Sequence, residues 1–197
     1  MRLVLASGNA GKVVELEQLL AGTGVQLVSQ TSLGVTDADE TGLTFVENAL
    51  IKARHAARVT GLPALADDSG ICVDALGGAP GLYAARYAGT HGDSAANNAK
   101  LLRELDGVPA DRRTAYFIAV LVVLRHADDP APLVAEGRWH GRILDAPRGA
   151  GGFGYDPLFL PDGHDLGAAE LDPALKNRLS HRGQALEVLK ARFAELT

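Results

Sequence analysis

Two adjacent carboxylates, Asp67 and Asp68, stand inside an otherwise largely apolar stretch, Ala64-Leu65-Ala66-Asp67-Asp68-Ser69-Gly70-Ile71-Cys72-Val73-Asp74-Ala75-Leu76. Ala64 to Ala66 fit the end of a buried strand, and Ser69-Gly70 predicts a turn back into a second apolar run. Carboxylates at a strand end need a cation, a metal or a substrate opposite them, because burying an unpaired charge is costly. Successive side chains of a strand face opposite ways, so the two acids are expected to differ in role, one facing a site and the other supporting the turn. A plain Asx turn would carry the same Asp-Asp-Ser-Gly residues, and the rest of the chain has to decide between the two.

Other residues with chemical potential cluster in four places. Leu3-Val4-Leu5-Ala6 predicts a buried strand and Val13 to Leu20 a helix, with Ser7-Gly8-Asn9-Ala10-Gly11-Lys12 between them. A strand, a glycine loop and a helix point free N–H groups and the positive helix end at an anion, and Lys12 adds a full charge. The spacing is not that of a Walker A loop, since two residues separate the glycines and Val13 follows the lysine. A tight strand–helix turn with a surface lysine is the alternative. Thr44 and Glu47 have capping-box spacing, with Gly61 as the stop of the helix they start. Glu40, just upstream, has no capping duty and is free to be a ligand, while Asn48 and Lys52, four apart, share one helix face. Gly149 to Gly154 formally contains G-x-G-x-x-G, but a strand, Tyr155 to Phe159, is expected after it, so the dinucleotide interpretation is rejected. The glycines would display Phe153, Tyr155 and Asp156, an aromatic beside an acceptor, which suits a planar base or a core aromatic turn. Lys176, Ser180, His181 and Arg182 lie where the last helix begins, expected over 182–196.

The elements that must position these groups fit an ordinary globular chain of 197 residues, 47% apolar and 22% charged, expected to form one domain over 1–197. A net charge of -5 argues against a general nucleic-acid or anionic-membrane binder. The lone cysteine, Cys72, excludes an internal disulfide, fits a reducing compartment, and sits where a small core residue belongs. The six histidines lack metal-ligand spacing. The N-terminal apolar run is too short for a signal peptide and no run reaches the about 18 residues of a membrane span, so a cytoplasmic location is expected. Further elements are strands over 25–29, 114–124 and 133–139, a helix capped by Asp93 or Ser94, a glycine-rich loop over 77–81 and a helix opened by Asp172-Pro173. A lysine-bearing phosphate loop, two acidic positions, a stacking loop and a donor cluster together describe a site for a nucleoside phosphate held with a hard cation.

Six segments in order, Ser7 to Lys12, Thr44 to Ala49, Ala66 to Gly70, Gly77 to Gly81, Phe153 to Pro157 and Ser180 to Arg182, resemble the successive signatures of the inosine/xanthosine triphosphate pyrophosphatases. These are house-cleaning enzymes for non-canonical purine nucleotides, here of bacterial type. The resemblance implies an α/β fold with a long mixed sheet flanked by helices, two lobes around a central active-site cleft, and a homodimer. It implies Mg2+-dependent hydrolysis of dITP, ITP and XTP to the monophosphate and pyrophosphate. Carried onto this chain, Ser7, Gly8, Asn9, Ala10, Gly11 and Lys12 would hold the triphosphate, with Lys52 assisting. Glu40 and Asp68 would hold the metal, and Asp68 would accept the proton of the attacking water. Ser69, Phe153, Gly154, Tyr155, Asp156, Lys176, His181 and Arg182 would line the nucleotide pocket, with donors such as Arg182 and His181 reading a 6-oxo group. Rival expectations are a pyrophosphatase for modified pyrimidines, a non-catalytic nucleotide sensor, and a phosphatase releasing orthophosphate.

Overall fold

The computed structural model describes residues 1–196. Its elements in chain order are β1 (Arg2–Ala6), α1 (Ala10–Leu20), β2 (Gln26–Ser29), α2 (Phe45–Thr60), β3 (Ala64–Val73), α3 (Ser94–Glu104), β4 (Thr114–Leu124), β5 (Leu133–Ile143), β6 (Phe159–Pro161), α4 (Pro173–Leu179) and α5 (His181–Lys190). The strands form one six-stranded sheet in the order β2-β1-β3-β4-β5-β6. β1 runs parallel to β2 and to β3, with Leu3 opposite Leu27 and Leu5 opposite Leu65, whereas β5 and β6 are antiparallel. The sheet is therefore mixed, flanked by helices, as expected for an α/β fold.

The chain divides into two compact units, each with its own apolar core. The first comprises Met1–Asp68, Ala119–Gly137 and the chain from Arg182 onward; the second comprises Ser69–Ile118 and Arg138–His181. In the first, Leu3, Leu5 and Leu65 of the parallel strands pack with Leu16 of α1, Leu121 and Val123 of β4, and Leu186 and Leu189 of α5. Helix α2 presents Ala49, Ala53, Ala56 and Ala57 on one buried face, the i, i+4, i+7 spacing of an amphipathic helix, and small residues allow close approach to β1. In the second unit, Ile71, Phe117, Trp139, Tyr155 and Phe159 pack in the core with Leu101 of α3 and Leu105, which follows that helix.

Local start and stop signals operate as the sequence predicts. Thr44 caps α2 by accepting the Glu47 N–H, and Gly61 ends it. Asp172 caps α4, with Pro173 in its first turn, and Asp93 caps α3. Several boundaries differ, among them the start of α1, which lies at Ala10 rather than Val13. No turn occurs at Ser69-Gly70: β3 runs unbroken from Ala64 to Val73, and its acids find partners without a bend. β5 continues past Trp139 to Ile143, where Phe159 of β6 pairs with it. Asp156–Leu158 is a 3-10 turn rather than strand, with Pro157 in its first turn, and only Phe159–Pro161 is extended. The last helix ends at Lys190 and a 3-10 turn, Phe193–Leu196, follows. Cys72 is buried, as is Trp139, which is more enclosed than the half-buried position expected of it.

Candidate active site

Most of the residues singled out for chemistry fall into two clusters, one in each compact unit. In the first unit, β1 delivers the chain to Ser7, whose Oγ accepts the Asn9 N–H at 3.2 Å. Asn9 then caps α1, its Oδ1 accepting the Lys12 N–H at 3.1 Å. Asparagine thus closes the loop and leaves the first turn of α1 facing outward beside Lys12. The Lys12 Nζ lies 2.7 Å from Asp67 Oδ1. On the neighbouring position of β3, and so on its other face, Asp68 Oδ1 meets Lys52 Nζ at 2.6 Å. Lys52 also donates to the Asp67 carbonyl at 2.9 Å and lies 3.2 Å from Glu40 Oε1.

Asp67 is held from a third direction. Arg182 at the start of α5, 1% exposed, donates from Nε to Asp67 Oδ2 at 2.8 Å, and its Nη1 donates to Glu15 of α1. Arg182 therefore serves in this structure as the partner of two buried acids, where the sequence had cast it as a reader of a base. Burial works to raise Asp67, but Arg182 and Lys12 outweigh it and hold its carboxyl well below the usual carboxylate range. Burial pushes the Asp68 carboxyl up, against the attraction of Lys52 and Lys12. Burial also lowers the Lys12 ammonium, with Asp67 opposing. For Lys52 burial pulls downward as well, yet Asp68 and Glu40 together raise it. One strand thus holds a firmly ionised acid and, next to it, one that takes up a proton more readily.

Glu40 and Asp68 converge on a single ammonium, so their oxygens can both be reached by one small cation. Among the described residues no group of three or more His, Cys, Asp or Glu side chains is arranged to hold a metal by itself. Two carboxylates suit Mg2+, which binds through one or two of them and completes its shell with water and phosphate oxygens.

In the second unit, Asp156 organises the glycine loop. Its Oδ2 accepts the Phe153 N–H at 2.8 Å and lies 2.7 Å from Lys176 Nζ, and both charged side chains are buried. Gly152 is required here twice over: its φ is 70° and a Cβ would stand 2.1 Å from Asp156 Oδ2. The Lys176 ammonium lies 5.2 Å from the Phe153 ring centroid. Tyr155 is not displayed. It is a core residue that donates its hydroxyl to the Ala84 carbonyl at 2.8 Å. His181 stacks nearly flat on Phe117, centroids 4.9 Å apart, and Ser69 sits half-buried in β3.

Residues 3–192 match the model of the Ham1 family. The chain belongs to the Ham1 family. Among curated relatives, a Xanthomonas campestris protein named dITP/XTP pyrophosphatase is 65% identical over 195 residues, covering 99% of this chain and 98% of that protein. A Thioalkalivibrio sulfidiphilus protein of the same name is 61% identical and covers 98% of each. Among solved structures, the Ham1 protein of Coxiella burnetii superposes with a TM-score of 0.90 at 49% identity over 99% of both chains. The Ham1 protein of Staphylococcus aureus gives 0.87 at 35% identity over the full length of both.

Three contributors to this Ham1-family chain's clusters escaped sequence reasoning. Glu15 stands three residues after Lys12 amid apolar Val13, Leu16 and Leu19, and an acid on an apolar helix face was the available signal. Asn98 of α3 donates to the Gly154 carbonyl at 3.0 Å and so steadies the Phe153 loop. Asp37 crowds Gly8, where a Cβ would lie 3.1 Å from its Oδ2; nothing local announces either of these.

Proposed function

We propose that this chain hydrolyses dITP, ITP and XTP to the nucleoside monophosphate and pyrophosphate, removing non-canonical purines from the nucleotide pool. The observation that carries the proposal is the convergence of Glu40 and Asp68 on Lys52, in a chain 65% identical to a protein named dITP/XTP pyrophosphatase. The Ser7 to Lys12 segment turns the positive end of α1 toward the triphosphate and offers backbone N–H groups other than those of Ser7, Asn9 and Lys12, which already have acceptors. Lys12 and Lys52 exchange part of their carboxylate contacts for phosphate oxygens and neutralise the leaving pyrophosphate. Glu40 and Asp68 hold Mg2+, which when bound supplies neutralisation of phosphate charge and polarisation of water. Asp68 accepts the proton of the water that attacks the α-phosphorus. No covalent intermediate is required.

In the base pocket, the Phe153 ring stacks on the purine, and Ser69, Gly154, Tyr155 and Asp156 shape its surroundings. Lys176 and His181 read the 6-oxo group shared by hypoxanthine and xanthine; adenine presents an amino group there and leaves these donors unpaired. Arg182 contributes by fixing Asp67 and hence Lys12. We place the enzyme in the cytoplasm as a homodimer without nucleic-acid or membrane partners. The lone cysteine, the charge of -5 and the family resemblance support this. Among the described residues no helix is long and apolar enough to cross a membrane.

Identification of the anion released from dITP, with and without Mg2+, tests the proposal. Pyrophosphate and dIMP, formed only with the metal, are expected. Orthophosphate as the product, or a preference for dTTP or UTP over dITP, would contradict it.

A further inference from the structure

Thr44 and Glu47 bond reciprocally at the start of helix α2. The Thr44 Oγ accepts the Glu47 N–H at 3.3 Å, and Glu47 Oε2 accepts the Leu43 N–H at 2.9 Å and the Thr44 hydroxyl at 2.8 Å. One further hydrogen bond at this end has no capping purpose. The Gly42 N–H, outside the helix and not among its orphan donors, donates to Asn48 Oδ1 at 2.8 Å. Asn48 is 2% exposed, and a buried amide side chain is retained where its hydrogen bond does something. The fit is close: a Cβ on Gly42 would lie 2.6 Å from Glu47 Cβ, 2.7 Å from Asn48 Oδ1 and 3.1 Å from the Asn48 nitrogen. The φ of Gly42 is not positive, so glycine is needed for space rather than for conformation. Two residues before Gly42 is Glu40, and one helical turn after Asn48 is Lys52, whose ammonium lies 3.2 Å from Glu40 Oε1.

We propose that Asn48 is a positioning residue for Glu40: by clamping the Gly42 N–H it fixes the loop so that Glu40 stands beside Asp68, ready to share a hard divalent cation. This rests on the assignment of Glu40 as a metal ligand. Glu40 lies on a connecting segment, not on a helix or strand, so its position depends on such ties. Lys52 alone would let the carboxylate follow a moving ammonium; the clamp anchors the backbone on which it stands.

The test is titration of the full-length protein with Mn2+ alone, free Mn2+ being followed by electron paramagnetic resonance, for the parent, Asn48→Ala, Gly42→Ala and Glu40→Gln. Asn48→Ala and Gly42→Ala should each weaken Mn2+ binding about 10-fold. Combined, they should weaken it little further, since both break one clamp. The Mg2+ concentration for half-maximal dITP turnover should rise in proportion, with the KM for dITP at saturating Mg2+ unchanged. Should Asn48→Ala fail to fold, Gly42→Ala, which keeps the buried Asn48 amide in place, decides. Parent-like Mn2+ binding by both clamp variants, with weakened binding by Glu40→Gln, would overturn the clamp and leave Glu40 as a ligand. Parent-like binding by Glu40→Gln would overturn the ligand assignment and the clamp with it.

Discussion

The two clusters are built in opposite ways. In the first unit, long cationic side chains from α1, α2 and α5 are gathered by acids on a central strand, and Lys12 and Lys52 keep 15% and 13% of their side chains accessible. In the second, a glycine loop is wrapped around one carboxylate, Asp156, and its lysine partner, 6% and 9% accessible, is closed in with it. The first is a set of charges that can exchange partners when a polyanion arrives. The second is a preformed shape with one aromatic ring at its edge. A triphosphate tail is flexible and highly charged, whereas a purine is rigid and nearly neutral, so each construction suits one part of the proposed substrate.

The largest effect should come from the one member of the first cluster that cannot exchange partners. Arg182→Leu removes a buried cationic partner from both Asp67 and Glu15, and should destabilise the protein by about 3–5 kcal/mol, read from denaturant unfolding. A loss below about 1 kcal/mol would mean that these acids find other partners. Next, Asp68→Asn should lower kcat on dITP about 10²-fold or more while leaving the melting temperature near the parent's. An unchanged kcat would remove Asp68 from the chemistry. Phe153→Ala, in the second cluster, should raise the KM for dITP about 10-fold with kcat kept, the worth of one base–aromatic stack. A loss confined to kcat would assign Phe153 to the wrong cluster.

The smallest effect supplies a baseline for a carboxylate outside both clusters. Asp129 in the turn after β4 accepts hydrogen bonds from Arg125 Nε at 2.9 Å and from the Arg125 and Ala131 N–H groups at 3.0 Å, and these hold its carboxyl well below the usual range. Its folded pKa lies below the unfolded value of about 3.9, so its contribution is fully present above that pH and is lost as pH falls toward the folded value. Asp129→Asn should therefore flatten the loss of stability below about pH 4, by about 1 kcal/mol, in urea melts across pH. An unchanged acid profile would show that the acid sensitivity resides elsewhere.

What was legible in the sequence was local. Thr44 with Glu47, Asp172 with Pro173, and the β-branched run over 114–124 each carry their structural signal within a few residues. Ser69-Gly70 misled because a serine–glycine pair ordinarily marks a turn, yet β3 continues through it. The partner that lets the strand hold Asp67 there, Arg182, is 115 residues away in sequence. Glu15 was missed for the same reason, being tied to Arg182 across 167 residues. Asp156 was legible as an acceptor but not as the centre of its loop, because that role depends on the backbone path that Gly152 takes. The acids and lysines could be named in advance; which charge meets which is decided by packing.

The division of labour is tested most directly by the ratio of kcat/KM for dITP over dATP, measured side by side on the parent, Asp68→Asn and Lys176→Met. The account predicts that Asp68→Asn slows both nucleotides equally and leaves the ratio unchanged, while Lys176→Met collapses it toward unity. A ratio altered by Asp68→Asn and untouched by Lys176→Met would contradict it.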